Sequence, residues 1–322
     1  MSSSSSTVQV IVSISQYIMI YLGFSVLLMG TIGNIINIIV LHKLRLFRRN
    51  PSVFYFTVES IGNLAQLLIN YPTRIMMDGY TINYTNMSLV WCKIRAFLAT
   101  VLTLISMYIV CCASFDQYLS THYLIYLRQK STHSSAKYLT FITIFFIILH
   151  GIPFIILFDL PPSMVCTTYN TIFSRYYSSV YYPIVQGALP MIIASLFSFL
   201  AFRNVRRIVR RQIPIVRRRL DRQFTAMVLA RVACLVTFIL PYAIYRIYVL
   251  NIIVNQDQLV LLAINNNLLA SLTITFFYVN YAVNFYIFMA TSAHYRHQQN
   301  AELYIYRSCI VQCCFSRLTM LQ

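Results

Sequence analysis

Acidic residues are scarce: the 322-residue chain has seven Asp and Glu in all. So few carboxylates leave little for carboxylate-based hydrolysis or for a hard-metal site, which wants oxygen ligands. Charge of either sign is thin, at 10% of residues, against about 25% in an average soluble domain. Apolar residues make up 59% and the mean hydropathy is +0.68. A soluble fold needs polar cover for its exterior, so these numbers exclude a water-soluble enzyme, and they exclude disorder. An integral membrane protein remains. Met1 to Thr7 has no Lys or Arg, hence no basic n-region of a cleavable signal peptide. Residues 1–15 read as a polar tail ahead of an uncleaved first span. No internal repeat is visible, which weakens an inverted-repeat transporter.

A span needs roughly 20 mostly apolar residues. Seven runs qualify: 16–41, 52–77, 93–118, 138–160, 179–202, 224–250 and 259–290. The sequence predicts an all-α seven-transmembrane helix bundle over 16–290, then a short amphipathic eighth helix and a cytoplasmic tail over 291–322. Pro161 and Pro162 close the fourth run. Pro183, Pro190 and Pro241 lie inside spans, where neighbouring helices re-satisfy the freed carbonyls.

The formal net charge of +18 invites a nucleic-acid reading. Its placement argues against one. Most of the 25 basic residues fall on one side of the spans. Lys43, Arg45, Arg48 and Arg49 follow span one; Arg128, Lys130 and Lys137 follow span three. Arg203, Arg206, Arg207, Arg210, Arg211, Arg217, Arg218, Arg219 and Arg222 follow span five, and Arg296, Arg307 and Arg317 lie in the tail. Arg74, Lys93, Arg95, Arg175 and Arg246 fall on the other side, and Arg231 lies inside span six. The positive-inside rule then puts the N-terminus outside and the C-terminus in the cytoplasm. The sequons at Asn83 and Asn86 fall on the outer side, as do Cys92 and Cys166, where a disulfide can persist. The other six cysteines lie in spans or inside and read as reduced thiols.

Several motifs resemble those of the rhodopsin-like class of G-protein-coupled receptors. Gly33-Asn34 in span one is similar to that family's Gly-Asn pair. Cys92 stands at the family spacing from Asp116-Gln117-Tyr118, which occupies the Asp-Arg-Tyr position. Pro241 matches the kink proline of span six. Asn280, Asn284 and Phe285-Tyr286-Ile287-Phe288 resemble the span-seven Asn-Pro-x-x-Tyr element. The resemblance spans nearly the whole chain and implies a Cys92–Cys166 disulfide, a ligand pocket on the outer side and a G-protein cleft inside. Departures mark a divergent member of the kind found in expanded invertebrate families. Asn63 stands at the sodium-binding aspartate, and a neutral amide holds a hard cation poorly. Gln117 replaces the arginine, Ile239 the toggle tryptophan, Phe285 the proline and Phe288 the tyrosine; the lone Trp is Trp91.

Ionisable groups at mid-membrane are functional candidates. Asp116 reads as part of the activation switch or as a solvated helix-end acid. Asp221 stands where the family locks its arginine; with Gln117 opposite, the lock reduces to a charge-assisted hydrogen bond. Glu59 and Arg231 lie at similar depth and form either a buried pair pinning spans two and six, or an exposed arginine snorkelling to the cytoplasmic face. By family spacing, Ala99, Thr103, Tyr182, Gln186, Tyr242, Tyr245, Arg246 and Tyr278 line the ligand pocket. Ala99 replaces the aspartate of amine receptors, and span seven has no Lys for a retinal Schiff base. Arg246 could clamp a carboxylate or peptide terminus, although an interfacial belt role is open for each Tyr.

The six histidines show no metal spacing, and no cofactor is implied. Cys309, Cys313 and Cys314 follow the eighth helix and read as palmitoylation sites or as free thiols. The basic loops suit anionic lipid and a G protein. The sequence thus reads as a non-enzymatic plasma-membrane receptor for a short neuropeptide or chemosensory cue. A non-signalling seven-span channel or transporter is the alternative.

Overall fold

Side-chain caps start spans two to five. The computed structural model describes residues 2–43, 50–160, 166–208, 215–251, 259–292 and 295–296. Seven helices are long and apolar enough to cross a membrane: Ser6–His42, Pro51–Gly79, Leu89–Thr121, His133–Leu157, Thr171–Arg207, Asp221–Val249 and Val260–Ala282. They pack as an all-α membrane-spanning bundle. Asn50 Oδ1 accepts from Ser52 N (2.9 Å) to start span two, with Pro51 pre-set for the first turn. Ser88, Thr132 and Asn170 cap spans three, four and five in the same way, each cap adding about 1 kcal/mol. These polar caps carry the helices beyond the apolar runs, so most spans are longer than hydropathy alone predicts. Span four starts earlier, at His133, and ends at Leu157 rather than at the prolines. There the chain turns into a two-residue antiparallel ladder that pairs Phe158 with Thr168 and Asp159 with Thr167.

The N-terminal segment corrects the expected polar tail. Ser2–Tyr17 is helical and runs without interruption into span one. Its serines conceal a stripe. Val8, Ile11, Val12, Ser15 and Met19 lie at helical spacing on the less exposed face, and the segment packs against the start of span seven and the end of span two.

Span three is the most enclosed helix and span four the least. Span four turns Phe141, Phe145, Leu149, Ile152 and Ile156 outward, an apolar face that only lipid satisfies over such an area. The interior holds unusually polar material: the largest fully buried side chain is Arg231. Spans one, two and seven meet closely at Gly30. A Cβ there would sit 2.6 Å from Leu67 Cδ1 and 2.8 Å from Ala282 Cβ, the small-residue contact that membrane helices use to approach one another.

Two features shape the ends of the bundle. Among the described residues four stretches widen into π-helix: Ile18–Leu22, Gln66–Asn70, Tyr177–Ala188 and Ile264–Leu269. Pro183 lies within the third and Pro72 two residues after the second, where a wider turn relieves the clash of the pyrrolidine ring with the preceding carbonyl. Span seven is interrupted at Val283 and resumes as Asn284–Thr291. Arg296 Nη1 donates to the carbonyls of Met289 (2.8 Å) and Ala290 (3.0 Å), closing that helix. Beyond Ser292, Tyr295 and Arg296, the expected eighth helix lies outside the described residues, as do Cys309, Cys313 and Cys314.

Candidate functional site

One end of the bundle is tied by a bond between Cys92 and Cys166, with Cα atoms 5.8 Å apart. Cys92 lies in the first turn of span three and Cys166 precedes the second strand, so the bond fixes the described part of the loop after span four, Phe158–Asp159 and Cys166–Thr168, to the start of span three. Asn86 Oδ1 accepts from Cys166 N at 3.1 Å and steadies the same loop. Asn83 caps the short turn Tyr84–Asn86 by accepting from Thr85. Both sequon asparagines are half-buried at this disulfide end.

Beneath the loop lies a cavity of about 220 Å³. Ala99, Thr103, Tyr182, Gln186, Tyr242, Tyr245, Arg246 and Tyr278 all line it, and the disulfide forms part of its wall. The structure adds Gln66, Arg74, Arg95 and Tyr177 to these eight. Arg246 holds its Cζ 4.0 Å over the Tyr182 ring, a cation–π contact. Tyr182 in turn shares a hydrogen bond with Tyr177. Arg74 Nε lies 2.8 Å from Asp78 Oδ2, one turn along span two; the pair is close but not aligned as a hydrogen bond. The floor is polar. Gln66 Nε2 donates to Thr103 Oγ1 at 3.2 Å, Asn70 Nδ2 to Gln66 Oε1 at 2.7 Å, and Tyr281 reaches Thr103 at 3.5 Å.

Below this floor a buried network crosses the bundle. Arg231 Nε donates to Glu59 Oε1 at 2.6 Å and Nη1 to Asn280 Oδ1 at 2.7 Å. Side chains of Arg231 and Glu59 are 0% and 1% exposed, so Arg231 does not snorkel. The pair joins spans two, six and seven. Ser106 donates to Asn63 Oδ1 at 2.5 Å, and Asn34 Nδ2 donates to the carbonyls of Gly30 (2.8 Å) and Tyr281 (2.9 Å). Spans one, three and seven therefore join the same layer. Asn284 is fully buried, and neither of its amide atoms has a partner among the described residues.

The opposite end carries Arg128, Lys130, Lys137, Arg203, Arg206 and Arg207. Here Gln117 does the fastening. Its Nε2 donates to Thr225 Oγ1 at 2.8 Å and to the main-chain carbonyl of Asp221 at 3.3 Å. Its Oε1 accepts from Ser52 at 3.1 Å. The expected charge-assisted bond to the Asp221 side chain is thus replaced by a main-chain contact. Asp116 is buried, not solvated, and its Oδ2 lacks a hydrogen-bond partner among the described residues. Tyr118 lies against His122 and Phe197.

Phe288 packs on Phe56, with ring centres 4.6 Å apart. Near Phe288, Tyr295 donates to Asn37 Oδ1 at 2.8 Å, and Asn37 Nδ2 donates to Ser60 Oγ at 2.6 Å. Burial pushes the Tyr295 hydroxyl pKa up, keeping it a donor. This triad was not signalled by any motif. Among the described residues no group of His, Cys, Asp and Glu could hold a metal ion. No model of a known protein family matches the chain, and no curated protein matches it in sequence.

Proposed function

We propose that the protein is a rhodopsin-like receptor, a plasma-membrane protein with its disulfide end outside and its basic end in the cytoplasm. A ligand enters the tyrosine- and arginine-lined cavity. A heterotrimeric G protein engages the opposite cleft, and its loops rest on anionic lipid. The concentration of basic residues at one end supports this orientation.

One observation carries the reading. The Glu59–Arg231–Asn280 cluster lies between the cavity and the Gln117 fastening and joins three helices with one guanidinium. A helix that moves at its basic end must break or re-form this cluster. A ligand that favours the broken arrangement shifts the population between two discrete states. Gln117 holds spans two, three and six together in the resting state through neutral hydrogen bonds, a weaker fastening than an ion pair.

The test is guanine-nucleotide exchange on a panel of heterotrimeric G proteins by the full chain in lipid nanodiscs, with and without peptide and small-molecule extracts. Exchange above that of empty nanodiscs, raised by an extract, is the expected outcome. No exchange on any G protein, together with ion flux through reconstituted vesicles, would overturn it in favour of a channel.

A further inference from the structure

The cavity holds more positive charge than it balances. Three guanidiniums line it, from Arg74, Arg95 and Arg246, and among the described residues only Arg74 has an acid, Asp78. Arg95 and Arg246 make no hydrogen bond or ion pair with any described residue, and the Nε of each is buried and unpartnered. Arg246 touches the face of Tyr182, which engages the cation but uses none of its N–H donors. Arg231 shows what a structural arginine does in this protein: it takes a carboxylate and an amide. Arg175 shows the other ordinary solution, exposure near the disulfide end of span five. Arg95 and Arg246 take neither course. Partly buried guanidiniums without partners are unfavourable in the empty cavity, and an anion that pairs them relieves this.

We infer that the ligand is a small organic dianion with two separated carboxylates, one received by Arg95 and the other by Arg246, on an aromatic or apolar body. The inference rests on the receptor reading for its signalling consequence. Three cations against one acid leave a surplus of two, which a dicarboxylate neutralises. A monoanion leaves one guanidinium unpaired, and an amine adds to the repulsion. The rings of Tyr177, Tyr242 and Tyr278 supply stacking surface, and their hydroxyls can donate to carboxylate oxygens. The cavity, about 220 Å³, falls below the roughly 300–1,000 Å³ of drug-sized sites, so the whole ligand is small.

Binding is measured by isothermal calorimetry on the full chain in neutral-lipid nanodiscs, with isophthalate, benzoate, phenyl phosphate and benzylamine as probes. Isophthalate should bind at least about tenfold more tightly than benzoate, and benzylamine not at all, one charge-assisted contact being lost at each step. Arg95→Gln and Arg246→Gln should each weaken isophthalate by about tenfold. Asp78→Asn releases Arg74 and should tighten it, a gain that no loss of folding can imitate. Equal binding of isophthalate and benzylamine, or weaker binding by the Asp78→Asn variant, would overturn the inference. Phenyl phosphate binding more tightly than isophthalate would overturn the two-point arrangement. Isophthalate binding that leaves nucleotide exchange unmoved on every G protein counts against the receptor reading and leaves the dianion site standing. Exchange driven by an extract that isophthalate neither mimics nor competes with has the opposite meaning.

Discussion

Removing one partner of the Glu59–Arg231 pair should be far worse than removing both. Arg231 is wholly enclosed, with Nε 2.6 Å from Glu59 and Nη1 2.7 Å from Asn280. Glu59→Gln leaves a buried guanidinium facing two neutral amides, and Arg231→Met leaves a buried carboxylate facing a thioether. Each stranded charge costs about 3–5 kcal/mol. In the double variant neither charge remains. The Asn280 side chain and the neutral amide at position 59 lose the guanidinium, at about 1–3 kcal/mol. A double-mutant cycle on thermal or denaturant unfolding in nanodiscs should therefore give a coupling of at least about 2–3 kcal/mol. The cycle also separates stability from gating. The double variant regains stability but still lacks the ion pair that joins spans two and six, so its basal nucleotide exchange should stay as high as that of the single variants. A coupling near zero refutes the buried pair, and a double variant that is both stable and silent refutes its role as a restraint.

Four further outcomes follow from the geometry. Cys92→Ser or Cys166→Ser opens a loop closed across a sequence separation of 74 and should cost about 2–5 kcal/mol, seen as lower surface expression and, in purified protein, weaker isophthalate binding. Gly30→Val forces side-chain atoms into Leu67 and the Ala282 backbone and should lower stability by about 1–3 kcal/mol, read as a fall in Tm; an unchanged Tm would show that spans one and seven can part there. Gln117→Ala removes the bonds to Ser52, Thr225 and the Asp221 carbonyl and should cost about 1–3 kcal/mol while raising basal exchange. Endoglycosidase treatment of protein from a eukaryotic host should increase gel mobility, and the shift should vanish in the Asn83→Gln/Asn86→Gln variant; no shift would count against an outside position for that turn.

The seven spans were legible because each needs a long apolar run, and nothing else in the chain imitates one. Their ends were not: Thr132 and Asn170 start helices in polar sequence, and Ser88 starts span three a turn ahead of Lys93. The helical N-terminus escaped for a related reason: five consecutive serines hide a stripe that begins at Val8. In the cavity, positions assigned by spacing face one space. Arg74 and Arg95 were visible as charges at span ends, yet such charges ordinarily report topology, and only packing distinguishes an arginine turned inward from one turned to water. Depth placed Glu59 level with Arg231, whereas Asn280, their third member, read as part of a motif. Whether Gln117 meets the side chain or the carbonyl of Asp221 depends on a fraction of a helical turn, which spacing does not resolve.

The four wide turns bear on how such a chain tolerates change. One residue added to an α-helix rotates everything beyond it by about 100°, which in a bundle would turn a buried polar face toward lipid. A π-turn absorbs that extra residue locally. In spans one, two, five and seven these turns lie on the disulfide side, and Asn34, Glu59 and Asn280 lie beyond them toward the basic end. The turns act as registration joints: the half that shapes the cavity can gain or lose residues and re-aim its side chains while the buried network keeps its alignment. Change in the shape of the cavity is thereby uncoupled from preservation of the part that holds the bundle together.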